Sequence, residues 1–205
     1  MLKYRVAILS GFLFLLSSFR LNQVNTSFLS LVQQADLKFM PPANCIETNV
    51  ISNYELNYQY AIIDTVTNIE IRYIIHPLQA LQKRYNGPHS DTGMDAIDPN
   101  FLHTNLLVAY TFKIQGKEVN LNAGMPDIHE LPHATIEYEY NGDWGAKVSV
   151  QPCDDFGQKY KYCTIFAMHK ENTADVYIFY LYNNQAVFEA SVNPDFHSLV
   201  FNKSK

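Results

Sequence analysis

Residues 160–169 (YKYCTIFAMH) and 175–182 (DVYIFYLY) carry a strong β-strand pattern. Both runs are rich in Tyr, Phe, Ile and Val, the residues that strands favour, and the short polar segment KENTA joins them. The pattern predicts an antiparallel β-hairpin.

Strand patterns also occur on the N-terminal side of this hairpin. Residues 55–63 (ELNYQYAII) and 69–75 (IEIRYII) alternate apolar and polar positions, which indicates a second antiparallel hairpin with one apolar face. Ala146, Val148 and Val150 alternate with polar residues in a further strand. Short strands are expected at 36–42 and 199–201.

Helical patterns lie between these strands and after them. Residues 78–85 and 185–191 favour short helices. A longer helix is expected after Asn100, which would cap it, and it contains Phe101, Leu102, Leu106, Ala109 and Tyr110. Residues 86–99 and 116–127 have loop composition, and residues 132–140 fit a helix or a strand equally well. This order predicts an α+β fold, with a mostly antiparallel sheet and helices packed on it.

The N-terminus has the composition of a targeting segment. Lys3 and Arg5 precede an uncharged apolar run at 6–19, which is shorter than a membrane span needs. We expect a signal peptide at 1–22, a spacer at 23–35 and a single domain at 36–205, in a secreted or periplasmic protein. A buried N-terminal helix and an uncleaved membrane anchor are the alternatives.

Charge argues against nucleic acid as a partner. The chain contains 15 basic and 20 acidic residues, a net charge of −5. Removing Lys3 and Arg5 takes it to −7, and removing Arg20 takes it to −8, because no acidic residue precedes Asp36. Such a domain repels phosphate backbones. It is expected to contact a membrane only through an uncleaved N-terminal segment.

Three cysteines leave two interpretations open. Cys153 and Cys163 flank a polar stretch and could form a disulfide in an exported protein, with Cys45 free. All three could equally be unpaired, apolar-like side chains. No C-x-x-C pattern indicates a zinc ribbon or a redox site.

One motif suggests metal chemistry. Residues 129–133 read HELPH, which matches the H-E-x-x-H zinc signature with Glu130 as the general base. That chemistry requires His129 and His133 on one face of one helix, and Pro132 disrupts such a helix at a cost of about 3 kcal/mol. We expect His129 in a loop and His133 at the start of the next element. A non-helical metal site with His103 or His169 as third ligand is the alternative.

Four other residues are candidates for a binding site. Arg72 lies opposite the apolar face of its strand, Asp143 and Trp144 lie in a glycine-flanked turn, and His169 ends a strand. Structural roles, such as an ion pair between Glu70 and Arg72 or a turn cap by Asp143, are the simpler interpretation. No catalytic triad, phosphate loop or dinucleotide motif is evident, so no catalytic residue and no cofactor are predicted.

Several segments resemble a group of small uncharacterised proteins with the PsbP-like fold. The resemblance rests on residues 36–42, 70–73 with Pro77 and Leu78, 143–146, and 169–170 followed by 175–181. It implies an antiparallel sheet covered by helices on both sides, and a non-catalytic binding or accessory role with a protein or small ligand as partner. The alternatives are a metal-dependent hydrolase using His129, Glu130 and His133, and an envelope-anchored structural protein.

Overall fold

A computed structural model describes residues 25–52, 56–87, 97–118, 124–191 and 197–203. The expected signal peptide at 1–22 lies outside these residues. The nine strands are β1 (Leu37–Phe39), β2 (Cys45–Glu47), β3 (Tyr60–Asp64), β4 (Glu70–Pro77), β5 (His129–Glu130), β6 (Trp144–Val150), β7 (Tyr162–Lys170), β8 (Ala174–Tyr182) and β9 (Leu199–Phe201). The six α-helices of the described part are α1 (Thr26–Gln34), α2 (Gln79–Tyr85), α3 (Leu102–Ile114), α4 (His133–Tyr140), α5 (Asp154–Gly157) and α6 (Gln185–Ser191).

Seven of these strands form one antiparallel sheet in the order β2-β3-β4-β8-β7-β6-β5. The predicted hairpin, β7 and β8, lies near its centre, with Lys170 opposite Ala174 at the turn. The strands β1 and β9 pair separately as a two-stranded ribbon. The predicted α+β class is confirmed.

Helices cover both faces of the sheet. On one face, Phe28 of α1, Ile136 of α4 and Phe188 of α6 pack into a core with the β1–β9 ribbon. On the other face, α3 packs through Leu107 and Ile114. The layered arrangement implied by the resemblance to the PsbP-like fold is therefore present.

The central strands are buried on both faces, which corrects the expectation of half-buried strands. All nine residues of β8 are buried, and so are the first six of β4, including Glu70 and Arg72. Alternation in sequence identified the strands correctly. It did not show that the polar side of β4 would be covered, because that depends on α3 and α5 packing over it.

Helix α1 occupies most of the segment that was expected to be a spacer, 23–35. Asn25 caps the helix by accepting a hydrogen bond from the backbone N–H of Ser27. Phe28 is fully buried and stacks on Tyr60 with 4.2 Å between ring centroids. The hydrophobic core thus begins before residue 36.

No single helix runs through residues 129–133, because the secondary structure changes at Pro132, as the sequence predicts. His129, which was expected in a loop, instead forms the short edge strand β5 with Glu130, because both residues pair with β6. Pro132 immediately precedes α4 in an extended conformation. Residues 132–140, which fitted either element, form a helix from His133 onward. This helix ends at Asn141, which has a φ of 53°.

Asp98, rather than Asn100, caps the segment that leads into α3. Its carboxylate accepts from the backbone N–H of Asn100 at the start of a 3-10 turn, Pro99–Phe101. Helix α3 follows directly. None of the helices in the described ranges is long and apolar enough to cross a bilayer.

Candidate functional site

A row of polar and aromatic side chains crosses four strands on the face covered by α3. His76 of β4 pairs with Asp175 of β8, Asp175 with His169 of β7, and His169 with Trp144 of β6. Directly paired residues point to the same face of a sheet, so the four side chains are neighbours. His103, from the first turn of α3, lies over this row. We call His103, Trp144, His169 and Asp175 the histidine cluster.

The buried contact in the cluster is between His169 and Asp175. His169 Nδ1 lies 2.6 Å from Asp175 Oδ1, and the two side chains are 4% and 1% exposed. The other carboxylate oxygen, Oδ2, is buried and has no hydrogen-bond partner among the described residues. A buried polar atom without a partner is costly, so this carboxylate depends strongly on its contact with His169.

His103 is held between its own turn and the sheet. Its Nδ1 lies 2.8 Å from the backbone oxygen of Asn100, and so carries the proton. Its ring stacks on His169, with centroids 4.2 Å apart and planes 18° from parallel, and also contacts Trp144 at 4.6 Å. Burial and the nearby His169 lower the pKa of His103 below 6.5, although Asn100, Asp175 and Glu130 act in the opposite direction.

His76 extends the row beyond the cluster. Its Nε2 lies 2.7 Å from the hydroxyl oxygen of Tyr110 on α3. Burial lowers the pKa of His76, although the Asp175 carboxylate acts in the opposite direction. Burial also raises the pKa of Tyr110 to about 12. This pair therefore favours its uncharged form near neutral pH.

The cluster does not fit a metal ion in its present geometry. His103, His169 and Asp175 offer ligand atoms within 4.8 Å of one another. A metal lies in the plane of each imidazole that binds it, about 2.1 Å from the nitrogen. Two nearly parallel rings stacked 4.2 Å apart have no common point of this kind. One ring would have to turn before both could bind the same ion.

The HELPH motif does not form the geometry of a zinc protease. His129 lies on an exposed strand, with its Nε2 3.3 Å from Asp127, whereas His133 begins α4 and has its Nδ1 3.7 Å from Glu137. The required helix through both histidines is replaced by a strand, a break at Pro132 and a helix start. The sequence motif is present, but its two histidines do not lie on one face of a single helix, as zinc-dependent hydrolysis by this motif requires.

Arg72 lies on the same face as the cluster but away from it. It is opposite Phe179, four residues along β8 from Asp175, or about 13 Å. Arg72 Nε lies 2.7 Å from Glu70 Oε1, and the guanidinium carbon lies 4.7 Å from the Tyr58 ring centroid and 4.8 Å from that of Phe156. It also donates to the backbone oxygen of Phe156. These contacts are those of a buried ion pair within the core.

Asp143 lies at the exposed rim of the cluster. Its backbone N–H donates to the His169 oxygen at 2.8 Å, and its carboxylate accepts from the backbone N–H of Glu171 at 2.8 Å. Asp143 thereby fastens the turn before β6 to the β7–β8 turn. Of the four predicted binding residues, the structure brings Trp144 and His169 together, places Asp143 beside them, and separates Arg72.

None of the three cysteines forms a disulfide. Burial raises the pKa of the Cys45 thiol to about 11 and that of Cys163 to about 12. Both thiols are therefore protonated and unreactive near neutral pH. Cys153 is half-buried and faces a groove.

This groove is open to solvent and has a volume of about 590 Å³. It lies at the end of α3, beside β6, β7 and β8, and we call it the Gln115 groove. An adjoining cavity of about 280 Å³ shares four of its residues. The groove is lined by Gln115, Lys117, Ser149, Val150, Gln151, Pro152, Cys153, Tyr162, Tyr182 and Gln185. Its described lining contains no histidine and no carboxylate.

Sequence reasoning missed Asp175 and the residues of the groove. His103 was considered only as a possible metal ligand. Asp175 is the second residue of β8 and follows His169 by six residues, across the predicted KENTA turn, so hairpin register could have paired them. Nothing local connects His103 to a residue 66 positions away.

The fold and the two sites define an α+β protein with an antiparallel sheet between helical layers. No family model matches the chain, and no curated protein matches it by sequence. The solution structure of cyanobacterial PsbP (CyanoP) from Synechocystis sp. PCC 6803 matches 82% of this chain and 88% of its own length, at 8% identity and a TM-score of 0.41. A likeness at this level carries no argument about family or activity.

Proposed function

We propose that this chain is an exported, non-catalytic binding module whose ligand site is the Gln115 groove. The groove carries this proposal because it is open and lined by groups that form hydrogen bonds, and its described lining contains neither a histidine nor a carboxylate, the commonest general acids and bases. The lining includes nucleophilic residue types such as Cys153 and Ser149, but it includes no imidazole that could activate them.

The histidine cluster gives no better support for catalysis. His169 Nδ1 is engaged by Asp175, and His103 Nδ1 by the backbone of Asn100. Among the described residues, no Ser, Thr or Cys side chain is hydrogen-bonded to either imidazole. A nucleophile activated by a histidine base needs that contact, so the cluster lacks the central element of such a site.

The lining indicates the chemistry of the ligand. Gln115, Gln151 and Ser149 provide amide and hydroxyl groups, and the ring of Tyr162, which is 36% exposed, provides a flat apolar surface. Lys117 is the one charged residue in the described lining. These groups favour a small polar molecule with several hydrogen-bonding groups, such as a sugar or a short peptide.

Chemical-shift mapping with defined probes tests the proposal. The isotope-labelled protein is titrated with small neutral sugars and with capped dipeptides, and the backbone amide signals are followed. We expect one probe class to shift the signals of Gln115, Gln151 and Tyr162 in a saturable manner. Tyr162→Ala should weaken this binding, whereas Tyr138→Ala, at a site that is 87% exposed on α4, should not.

Two outcomes would reject the proposal. One is the absence of saturable shifts in the groove with either probe class. The other is stoichiometric zinc in the purified protein together with hydrolytic activity that His129→Ala or His133→Ala abolishes. The second result would restore the hydrolase alternative despite the break at Pro132.

A further inference from the structure

The first turn of α3 is held on the sheet by a contact between two imidazole rings. His103 stacks on His169, which lies at the turn end of the central β-hairpin. Uncharged hydrogen bonds support the same contact. Asn100 and Asn172 bond each other twice, at 3.1 and 2.8 Å, and the Tyr177 hydroxyl donates to the His103 oxygen at 2.8 Å.

Groups from several elements act on the charge of His103. His169 of β7 disfavours a proton on His103, whereas Asp175 of β8, Glu130 of β5 and the backbone oxygen of Asn100 favour it. Trp144 of β6 contributes an uncharged ring. Asp175 is already engaged by His169, and Glu130 is exposed to solvent, which screens its charge. Desolvation of the half-buried His103 ring is the largest effect, and it disfavours the charged form.

We propose that the stacked His103–His169 pair is a pH-sensitive latch, in which protonation of His103 releases the first turn of α3 from the sheet. The proposal does not depend on the function assigned to the Gln115 groove. In the closed state, a charged His103 would lie face to face with another imidazole and be partly withdrawn from water. In the open state the charge is hydrated.

The sign of the pH effect follows from the lowered pKa of His103. A base whose pKa is lower in the folded state than in the unfolded state binds fewer protons when folded. The stability that it contributes is present above the unfolded value of 6.5 and is lost as the pH falls through the folded pKa. The latch therefore closes near neutral pH and opens under acidic conditions.

Trp144 provides a direct measurement, because it is the only tryptophan in the chain and lies 4.6 Å from the His103 ring. Its fluorescence in the full chain is recorded between pH 7.5 and 4.5. We expect a reversible transition with a midpoint below 6.5. His103→Phe retains a ring for the stack and removes the proton, so the transition should be lost. His133→Phe, at an exposed histidine of α4, should leave it unchanged.

Hydrogen exchange separates protonation from release. The amide of Asn172 donates to the Asn100 side chain across the contact. Its exchange, corrected for the intrinsic effect of pH, should increase several-fold on acidification in the wild type and stay constant in His103→Phe. If that variant fails to fold by circular dichroism, His103→Gln takes its place. A fluorescence transition that survives removal of His103, or one without faster exchange at Asn172, would overturn the proposal.

Discussion

Arg72 shows how a charge is kept inside this sheet. It is 1% exposed and lies on β4, an interior strand of the sheet. Its positive charge is compensated by Glu70, by a backbone carbonyl and by two aromatic rings. One guanidinium nitrogen, Nη2, still lacks a hydrogen-bond partner among the described residues. Such a pair contributes little net stability, but removal of one member is expensive because the other charge stays buried.

We therefore expect Arg72→Met to lower the free energy of unfolding by about 3–5 kcal/mol. The double variant Glu70→Leu/Arg72→Met should recover most of this loss, since no unpaired charge remains. Urea unfolding measures both, with Lys161→Met at an exposed position as the control, expected to change it by about 0.5 kcal/mol or less. A loss below about 1 kcal/mol for Arg72→Met would contradict a buried ion pair.

At the residue scale, the sequence was informative where a local rule applied. Pro132 predicted the break between His129 and His133, because the effect of proline acts on its own turn. Arg72 and His169 were identified as candidate binding residues, but their surroundings depend on strand order, which no local rule gives. The sequence contains no local sign that α3 brings His103 over His169.

At the scale of elements, the contact between α4 and β6 depends on the absence of a side chain at Gly145. A Cβ there would lie 2.9 Å from Ile136 Cγ1 and 3.2 Å from the Ala167 oxygen, and closer still to Ile136 Cδ1. Ile136 is fully buried and is the main anchor of α4. The helix can approach the sheet this closely because residue 145 is glycine.

Gly145→Ala is expected to destabilise the protein by about 1–3 kcal/mol, as overpacking does. Ile136→Ala removes the obstructing atoms and is itself destabilising, by about 2–5 kcal/mol. In the Ile136→Ala background, the added Gly145→Ala change should cost little or nothing. Thermal or urea unfolding of the wild type, the two single variants and the double variant gives the coupling energy between residues 136 and 145. Purely additive effects would show that these two residues are not in contact.

Elements with strong local patterns were predicted well. The β7–β8 hairpin, α2 and α6 lie close to their expected positions. By contrast, β3 begins at Tyr60 rather than at residue 55, although the alternation continues further upstream. Alternation shows where a strand can form, and the available partner decides where it ends.

At the scale of the whole molecule, the sheet separates two hydrophobic cores, and α1 helps to close one of them. Phe28 and Val32 of α1 are buried against β3, β4 and the β1–β9 ribbon. Any processing that yields the mature protein must therefore leave α1 in place. Removal of the expected signal peptide, residues 1–22, satisfies this condition.

The chain that starts at residue 23 should unfold at the same urea concentration as the full chain, whereas the chain that starts at residue 36 should be strongly destabilised. Phe28→Ala alone should cost about 3–5 kcal/mol, and Leu29→Ala, which is 42% exposed, far less. Mass spectrometry of the exported form should show a loss of about 20 residues. An intact N-terminus would support the anchored alternative, and a mature chain that begins after Val32 would contradict the role of α1.

Helix α3 connects the histidine cluster to the Gln115 groove. It carries His103 at one end, and Thr111, Phe112 and the following Gln115 border the groove and its adjoining cavity at the other, about 18 Å away. Protonation of His103 and binding of a ligand in the Gln115 groove would therefore act on the same helix. Thermodynamic linkage makes the effect of each event on the other reciprocal. A ligand that binds better when α3 is packed on the sheet would lower the proton affinity of His103. Protonation of His103 would weaken the binding of that ligand by the same factor.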